Sequence, residues 1–303
     1  MVSIIIPNYN HAPYLKERIE SILNQTYQDF EIILLDDCST DNSREVLEHY
    51  RSNPHVSHIV LNEQNTRNTF LQWERGVRLS RGEYLWMAES DDVAEPTFIE
   101  VLVRILEQHP EAVVAYSHSM MIDSRSQPLG YSWHSHGSNG RTYVYQGNWF
   151  LKHRMLVYNH IYNASMAVFR RSAYYAVPPS FQQYRYCGDY LFWNYLCTMG
   201  KVIEVQQVLN RYRQHERKVS IDSQKNGGRW RDIGGILTEF SDMLHLSPLQ
   251  RRCLRGRWTK RFNKENGHSL TDIRQEYSHL YGGSRWDICC YEVGKLLGFL
   301  RNT

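Results

Sequence analysis

Val2-Ser3-Ile4-Ile5-Ile6-Pro7-Asn8-Tyr9-Asn10 opens the chain with a short apolar, β-branched run that stops abruptly in polar residues. That is the pattern of a parallel strand buried on both faces. Outward from it, strand and helix signals alternate. Leu15, Ile19, Ile22 and Leu23 recur at helical spacing over residues 14–24. Glu31–Leu35 reads as a second strand ending in Asp36-Asp37, and Ser39-Thr40-Asp41 is placed to cap the next helix. Residues 59–61 and 84–88 read as further strands, with a helix over 70–79 between them. Pro96 opens a helix bearing Phe98, Val101, Leu102, Ile105 and Leu106 on one face, and residues 112–116 form a fifth strand. Such alternation predicts an α/β fold, a mainly parallel sheet flanked by helices. Ligands of these sheets bind beyond the carboxyl ends of the strands. Here those places hold Asn8-Tyr9-Asn10, Asp36-Asp37 and Glu89-Ser90-Asp91-Asp92.

The rest of the chain is organised around this frame. Residues 118–165 are rich in Ser, His, Gly, Tyr and Asn and read as loops framing an acceptor cleft. Strands are expected at 163–169 and 202–208, a helix at 190–199, and from Gly228 onward helices broken near Pro248 and Gly267. The expected domains are a catalytic unit over 1–222, with halves 1–117 and 118–222, and a C-terminal helical region over 223–303.

The 303 residues carry a net charge of only +3, unevenly spread. Residues 1–210 hold 17 Lys+Arg against 22 Asp+Glu, whereas residues 211–303 hold 18 against 10. A basic last third fits an anionic partner, a membrane surface or a phosphorylated acceptor, or simply a solvated helical face. Trp286, Cys289, Cys290, Val293, Leu296, Leu297 and Leu300 repeat at three- and four-residue steps. That stripe is expected to pack on the catalytic unit or a second subunit, while the basic residues around it attach the protein peripherally to anionic lipid. No apolar run is long enough to span a membrane, and no signal peptide is read. Six scattered cysteines suit a reducing cytoplasm. No nucleic-acid partner is expected. Neither G-x-x-x-x-G-K-[ST] nor G-x-G-x-x-G occurs, which argues against P-loop and dinucleotide chemistry.

Several side chains carry candidate chemistry, each with a plain structural alternative. Adjacent Asp91 and Asp92 at a buried strand end suit a hard divalent cation bridging to a diphosphate, or Asp92 starts the next helix. Asp37 suits the ring N–H of a base, or caps a helix, and Tyr9 suits stacking on that base or packing beneath its loop. Asp189, just before an aromatic helix, suits a general base or an N-cap. Arg213 suits a phosphate, and His215 a metal, a phosphate or a structural role. His134 and His136 read as loop residues, without the second ligand pair of a zinc motif.

Taken together, these pieces resemble the bacterial family 2 glycosyltransferases, which have the GT-A fold. The matching motifs run in order over about residues 1–222: the opening strand through Asn10, Ser21–Tyr27, Leu35–Asp41, Gly82–Asp92, Gly188-Asp189, and Tyr212–His215 with Ser220 beyond it. The resemblance implies that Pro7, Tyr9 and Asp37 bind the nucleotide base, Asp91 the ribose, Arg213 the phosphates, and Asp92 and His215 a Mn2+ or Mg2+ ion. Asp189 would be the catalytic base of an inverting transfer from a nucleotide-sugar, a UDP-sugar by preference, to a glycan or lipid-linked glycan. The chain departs from the family at Cys38, where Gly is usual, at Glu89, where the metal motif often begins with Asp, and at Gly188, where many members have Glu. Gln72-Trp73 and Asn163-Ala164-Ser165 accompany the Glu-Ser-Asp-Asp form of the motif. Two other functions compete: a catalytically degenerate binding or assembly module, and a nucleotidyltransferase. The latter would need a basic, glycine-rich loop in place of Asn8–His11.

Overall fold

The computed structural model describes residues 1–134, 138–215, 227–267 and 269–296, and at Leu296 the backbone only. His136, Ser220, Leu297 and Leu300 lie outside these residues. The strands are β1 (Val2–Asn8), β2 (Phe30–Asp36), β3 (Val56–Leu61), β4 (Tyr84–Met87), β5 (Val93–Ala94), β6 (Ala112–Ile122), β7 (Thr142–Tyr145), β8 (Ala167–Arg170) and β9 (Lys201–Arg213). They form one mixed sheet in the order β3-β2-β1-β4-β8-β6-β9-β5, with β7 also on β9. The half from β3 to β4 is parallel throughout, as are β6 and β9. β8 runs antiparallel between β4 and β6.

The opening run behaves as a period-2 strand should when both faces are covered. Ile4 and Ile6 join one core with Leu15 and Ile19 of helix α1 (Ala12–Leu23) and Leu102 of α4 (Phe98–Gln108). Ile5 faces the opposite core with Trp73 of α3 (Thr69–Leu79) and Trp193 of α7 (Gly188–Met199). The remaining helices before α7 are α2 (Ser43–His49), α5 (Gly147–Phe150) and α6 (Arg171–Ala176). The C-terminal helices, the longest being Gly228–Met243 and Pro248–Asn266, belong to the second core through Trp230, Leu237, Phe240, Trp258 and Phe262. They break near Pro248 and Gly267 as expected.

Three features differ from the sequence reading. Residues 118–165 are not all loop, because β6 runs on to Ile122 and β7 and α5 follow at Thr142 and Gly147. Ser117, His118 and Ser119 are polar yet buried in β6, so hydrophobicity under-reports that strand. β5 is only two residues long and is held by Arg211 and Asn210 of β9. In the last helix, Arg285–Leu296, the inward face is Asp287, Tyr291 and Gly294, whereas Trp286 and Val293 are 63% and 45% exposed and Cys289 is exposed as well. Of the described part of the apolar stripe, Trp286, Cys289 and Val293 are therefore open to solvent, whereas Cys290 is partly buried against Val157 and Cys253.

Candidate active site

The site forms where the carboxyl ends of β1, β2 and β4 meet the end of β9. Asn8 Nδ2 donates to Asp36 Oδ2 at 2.9 Å, and Asp36 Oδ1 accepts from the Ser39 backbone N–H at 3.0 Å. Asn10 adopts φ 57° and its Oδ1 accepts from the Thr40 N–H at 2.7 Å. These bonds lock the first loop to the second and leave Tyr9 on the outside, 47% exposed, with Pro7 buried at the end of β1. Asp37 faces away from Asp36 and caps no helix. Its carboxylate accepts from Asn62 Nδ2 (2.7 Å), Gln72 Nε2 (3.0 Å) and the Thr66 N–H (2.9 Å) and hydroxyl (2.8 Å). Gln72 thus acquires a purpose: it steadies Asp37. Cys38 sits at φ 63°, the left-handed region where glycine is the easy residue.

The acidic loop after β4 is clamped from three sides. Its Glu89 N–H donates to Ser165 Oγ at 2.9 Å. Asp92 is fully buried, its Oδ2 accepting from Asn163 Nδ2 at 2.8 Å and its Oδ1 from the Arg213 N–H at 3.0 Å. It caps no helix, since α4 begins after Thr97. Asp91 turns the other way, with Oδ2 at 2.9 Å from His215 Nε2. His11 joins them, its Nδ1 at 2.8 Å from Ser90 Oγ and its ring 5.4 Å from that of His215. One potential ligand atom from each of His11, Asp91 and His215 lies within 4.8 Å of the other two. A mixed imidazole and carboxylate set of this size fits a divalent ion. The sequence reading paired Asp92 with His215. The fold brings Asp91 to His215 instead and places Asp92 behind it.

Arg213 is also placed differently from the reading of it as a phosphate ligand. It is fully buried, with Nε donating to the Asp91 carbonyl (2.6 Å), Nη1 to the Asp123 carbonyl (3.0 Å) and Nη2 to Glu17 (2.6 Å). It stacks on Tyr14 at 4.7 Å and braces the acidic loop from below.

Asp189 lies in the first turn of α7, whose N-cap is Cys187. Burial, partly offset by backbone hydrogen bonds, pushes its carboxyl up to about 6. It is near enough to raise Glu89 in turn, which burial and the charges of Asp91, Asp92 and Asp189 push up to about 8. Gly188 leaves no room for the glutamate common at that position, because even a Cβ would strike the Phe181 carbonyl and the Phe70 ring. The cleft therefore gathers two kinds of acid: one poised to exchange a proton near neutrality, and one paired with histidines.

Sequence reasoning missed His11, Glu17, Asn62, Thr66, Asn163 and Ser165 as parts of the site. Only Asn163 and Ser165 carried an expectation, as residues that resemble features of a subgroup of the family. The others become neighbours only through the sheet.

The sheet is mixed and presents paired acids at the ends of its parallel strands, and the comparisons give it a family. The family model described as glycosyl transferase family 2 matches residues 3–177. The chain belongs to that family, and is a glycosyltransferase. An uncharacterized glycosyltransferase of Haemophilus influenzae is 29% identical over 221 residues, 73% of this chain and 67% of that protein. Glycosyltransferase GlyG of Streptococcus pneumoniae is 36% identical over 38% of each chain. Chondroitin synthase of Escherichia coli is 35% identical over 44% of this chain but only 19% of its own length. The S. aureus TarS 1–349 structure in complex with UDP-GlcNAc superposes with a TM-score of 0.62 at 15% identity, covering 98% of this chain and 92% of that one. That likeness establishes the GT-A-like fold.

Proposed function

We propose that the protein transfers a sugar from a UDP-sugar to an acceptor hydroxyl with inversion, and that Asp189 is the catalytic base. The observation that carries this reading is the half-buried Asp189 carboxyl, raised to about 6 beside the Glu89–Asp92 loop. It takes the proton of the acceptor hydroxyl as that oxygen forms a bond to the anomeric carbon. The bond from that carbon to the diphosphate oxygen breaks on the opposite face, and the electron pair leaves with the nucleoside diphosphate. Tyr9 stacks on the base, Asp37 and its partners frame its edge, and Pro7 shapes the floor beneath. His11, Asp91 and His215 would hold a Mn2+ or Mg2+ ion, which supplies Lewis-acid stabilisation of the departing diphosphate. Asp92, Asn163 and Arg213 keep the loop that carries Asp91 in place. The TarS structures that hold UDP and UDP-GlcNAc support the choice of donor.

The acceptor is proposed to be a glycan or lipid-linked glycan, in keeping with relatives named for chondroitin synthesis and teichuronic acid biosynthesis. A cytoplasmic enzyme resting on the inner membrane face accords with the exposed Trp286 and Val293 amid a basic helical surface. No described helix is long and apolar enough to cross a membrane. The test is a thermal-shift panel of nucleotide sugars with and without manganese, followed by assignment of the product's anomeric configuration by NMR. A UDP-sugar is expected to stabilise the protein most. A retained configuration, or no stabilisation by any nucleotide sugar, overturns the reading. Co-sedimentation with anionic liposomes, lost at high salt, checks the attachment.

A further inference from the structure

The strands beside the cleft hold a second cluster of metal-type side chains. His118 of β6 and Glu204 of β9 are buried neighbours, with His118 Nε2 at 3.2 Å from Glu204 Oε1. The loop after β6 brings His134 over them, its ring stacked on that of His118 at 3.7 Å. One ligand atom from each of the three lies within 4.8 Å of the other two. The Nε2 of His134 is buried and has no hydrogen-bond partner among the described residues. A buried imidazole nitrogen without a partner is costly unless something occupies its lone pair or takes its proton. The other polar atoms already have outer partners: His118 Nδ1 lies 3.1 Å from Ser138 Oγ, and Glu204 Oε2 accepts from the Tyr145 hydroxyl at 2.9 Å. This second layer is what orients the ligands of metal centres.

We propose that His118, His134 and Glu204 bind a zinc-class divalent ion, with water in the fourth position, separate from the ion proposed at Asp91. Two imidazoles and one carboxylate suit a borderline ion with tetrahedral preference. The stacked rings are nearly parallel, so the ring of His134 tilts toward the ion on binding. His134 rides on a loop, whereas His118 and Glu204 are fixed in paired strands, so the loop makes the adjustment. The ion ties that loop to the sheet. The adjoining Trp133 packs on Tyr162 and Tyr212 at 5.0 and 5.7 Å, so the clamp also fixes an aromatic wall near Asp92.

The test uses the full chain carrying Asp91→Asn, stripped of metal by chelator and titrated with Co2+ and Zn2+. One equivalent of Co2+ is expected to give the strong visible bands of a low-coordinate site, and Zn2+ to raise the melting temperature. Adding His134→Phe preserves a ring on His118 and removes the nitrogen. It is expected to weaken binding at least about tenfold. Should that variant fail to fold, Glu204→Gln serves the same purpose. Absence of binding in the Asp91→Asn chain, or equal affinity after His134→Phe or Glu204→Gln, overturns the proposal.

Discussion

The Arg18 guanidinium lies over the Trp86 ring, 4.6 Å from its centroid, with no hydrogen-bond partner for any of its three nitrogens among the described residues. It is wholly buried on α1, and desolvation lowers it to about 10 against the opposing pull of Asp92, Asp91 and Glu89. A fixed cation beneath an acidic cleft screens the acids from one another and repels an incoming cation. Arg18→Met is therefore expected to bind Mn2+ at least about threefold more tightly at pH 9, where the acids are ionised. Manganese titration calorimetry reads this directly, and weaker binding would show that Arg18 orders the loop rather than tempering its charge.

Asp189 makes a prediction in pH. A base must be deprotonated to act, and its carboxyl is raised to about 6. Turnover at saturating donor should fall as pH drops through about 6, on a limb of unit slope. Asp189→Asn should cost at least ~10²-fold in turnover with donor affinity little changed. Because the folded carboxyl holds its proton more tightly than the unfolded one, it also contributes stability that is present below about pH 4 and lost as pH rises through about 6. Asp189→Asn should flatten that part of the stability profile, as chemical denaturation across pH will reveal.

Asp91 and Asp92 should part company on mutation. Asp91→Asn is expected to abolish the manganese-dependent thermal shift produced by UDP while leaving the metal-free melting temperature near that of the parent. Asp92→Asn leaves one of two buried donors, Asn163 Nδ2 or the Arg213 N–H, without an acceptor. The expected loss is about 1–3 kcal/mol. If Asp92→Asn instead erased ion binding at unchanged stability, the ligand assignment would return to Asp92.

The C-terminal helices are expected to be indispensable to folding. Trp258 is buried, its Nε1 donating to the Leu156 carbonyl at 2.8 Å, and its ring lies 6.2 Å from that of Trp230. Trp258→Ala should cost about 3–5 kcal/mol. A chain ending before Gly228 should be recovered only in inclusion bodies. A soluble, monodisperse product with a cooperative melt would show that the core closes without these helices.

Much of this architecture was legible because it is local. The runs at Val2, Glu31 and Tyr84 carry their own signal, and β1, β2 and β4 appear there within a residue or two. The amphipathic pattern of α4 did the same. What escaped the sequence depends on distance along the chain. β5 has no propensity of its own and exists because Arg211 and Asn210 pair with it. Asp91 and Asp92 are adjacent and chemically alike, so nothing local says which turns toward His215. That choice is made by Asn163 and Arg213, which claim Asp92. Arg213 reads as a phosphate ligand from its place in Tyr212–His215, but Glu17, Ser126 and two backbone carbonyls occupy it.

The clamping of the acidic loop also sets an order of events during synthesis. Glu89 waits for Ser165, 76 residues later, and Asp92 for Asn163 and Arg213, 71 and 121 residues later. While the chain is emerging from the ribosome, the acids of this loop are made early and remain hydrated, with no rigid geometry to offer an ion. Only when the chain has been made through Arg213 can β8 and β9 close over them. An ion held as proposed by His11, Asp91 and His215 would thus have no rigid site until the chain has been made through β9, and a shorter piece could not be poised for transfer.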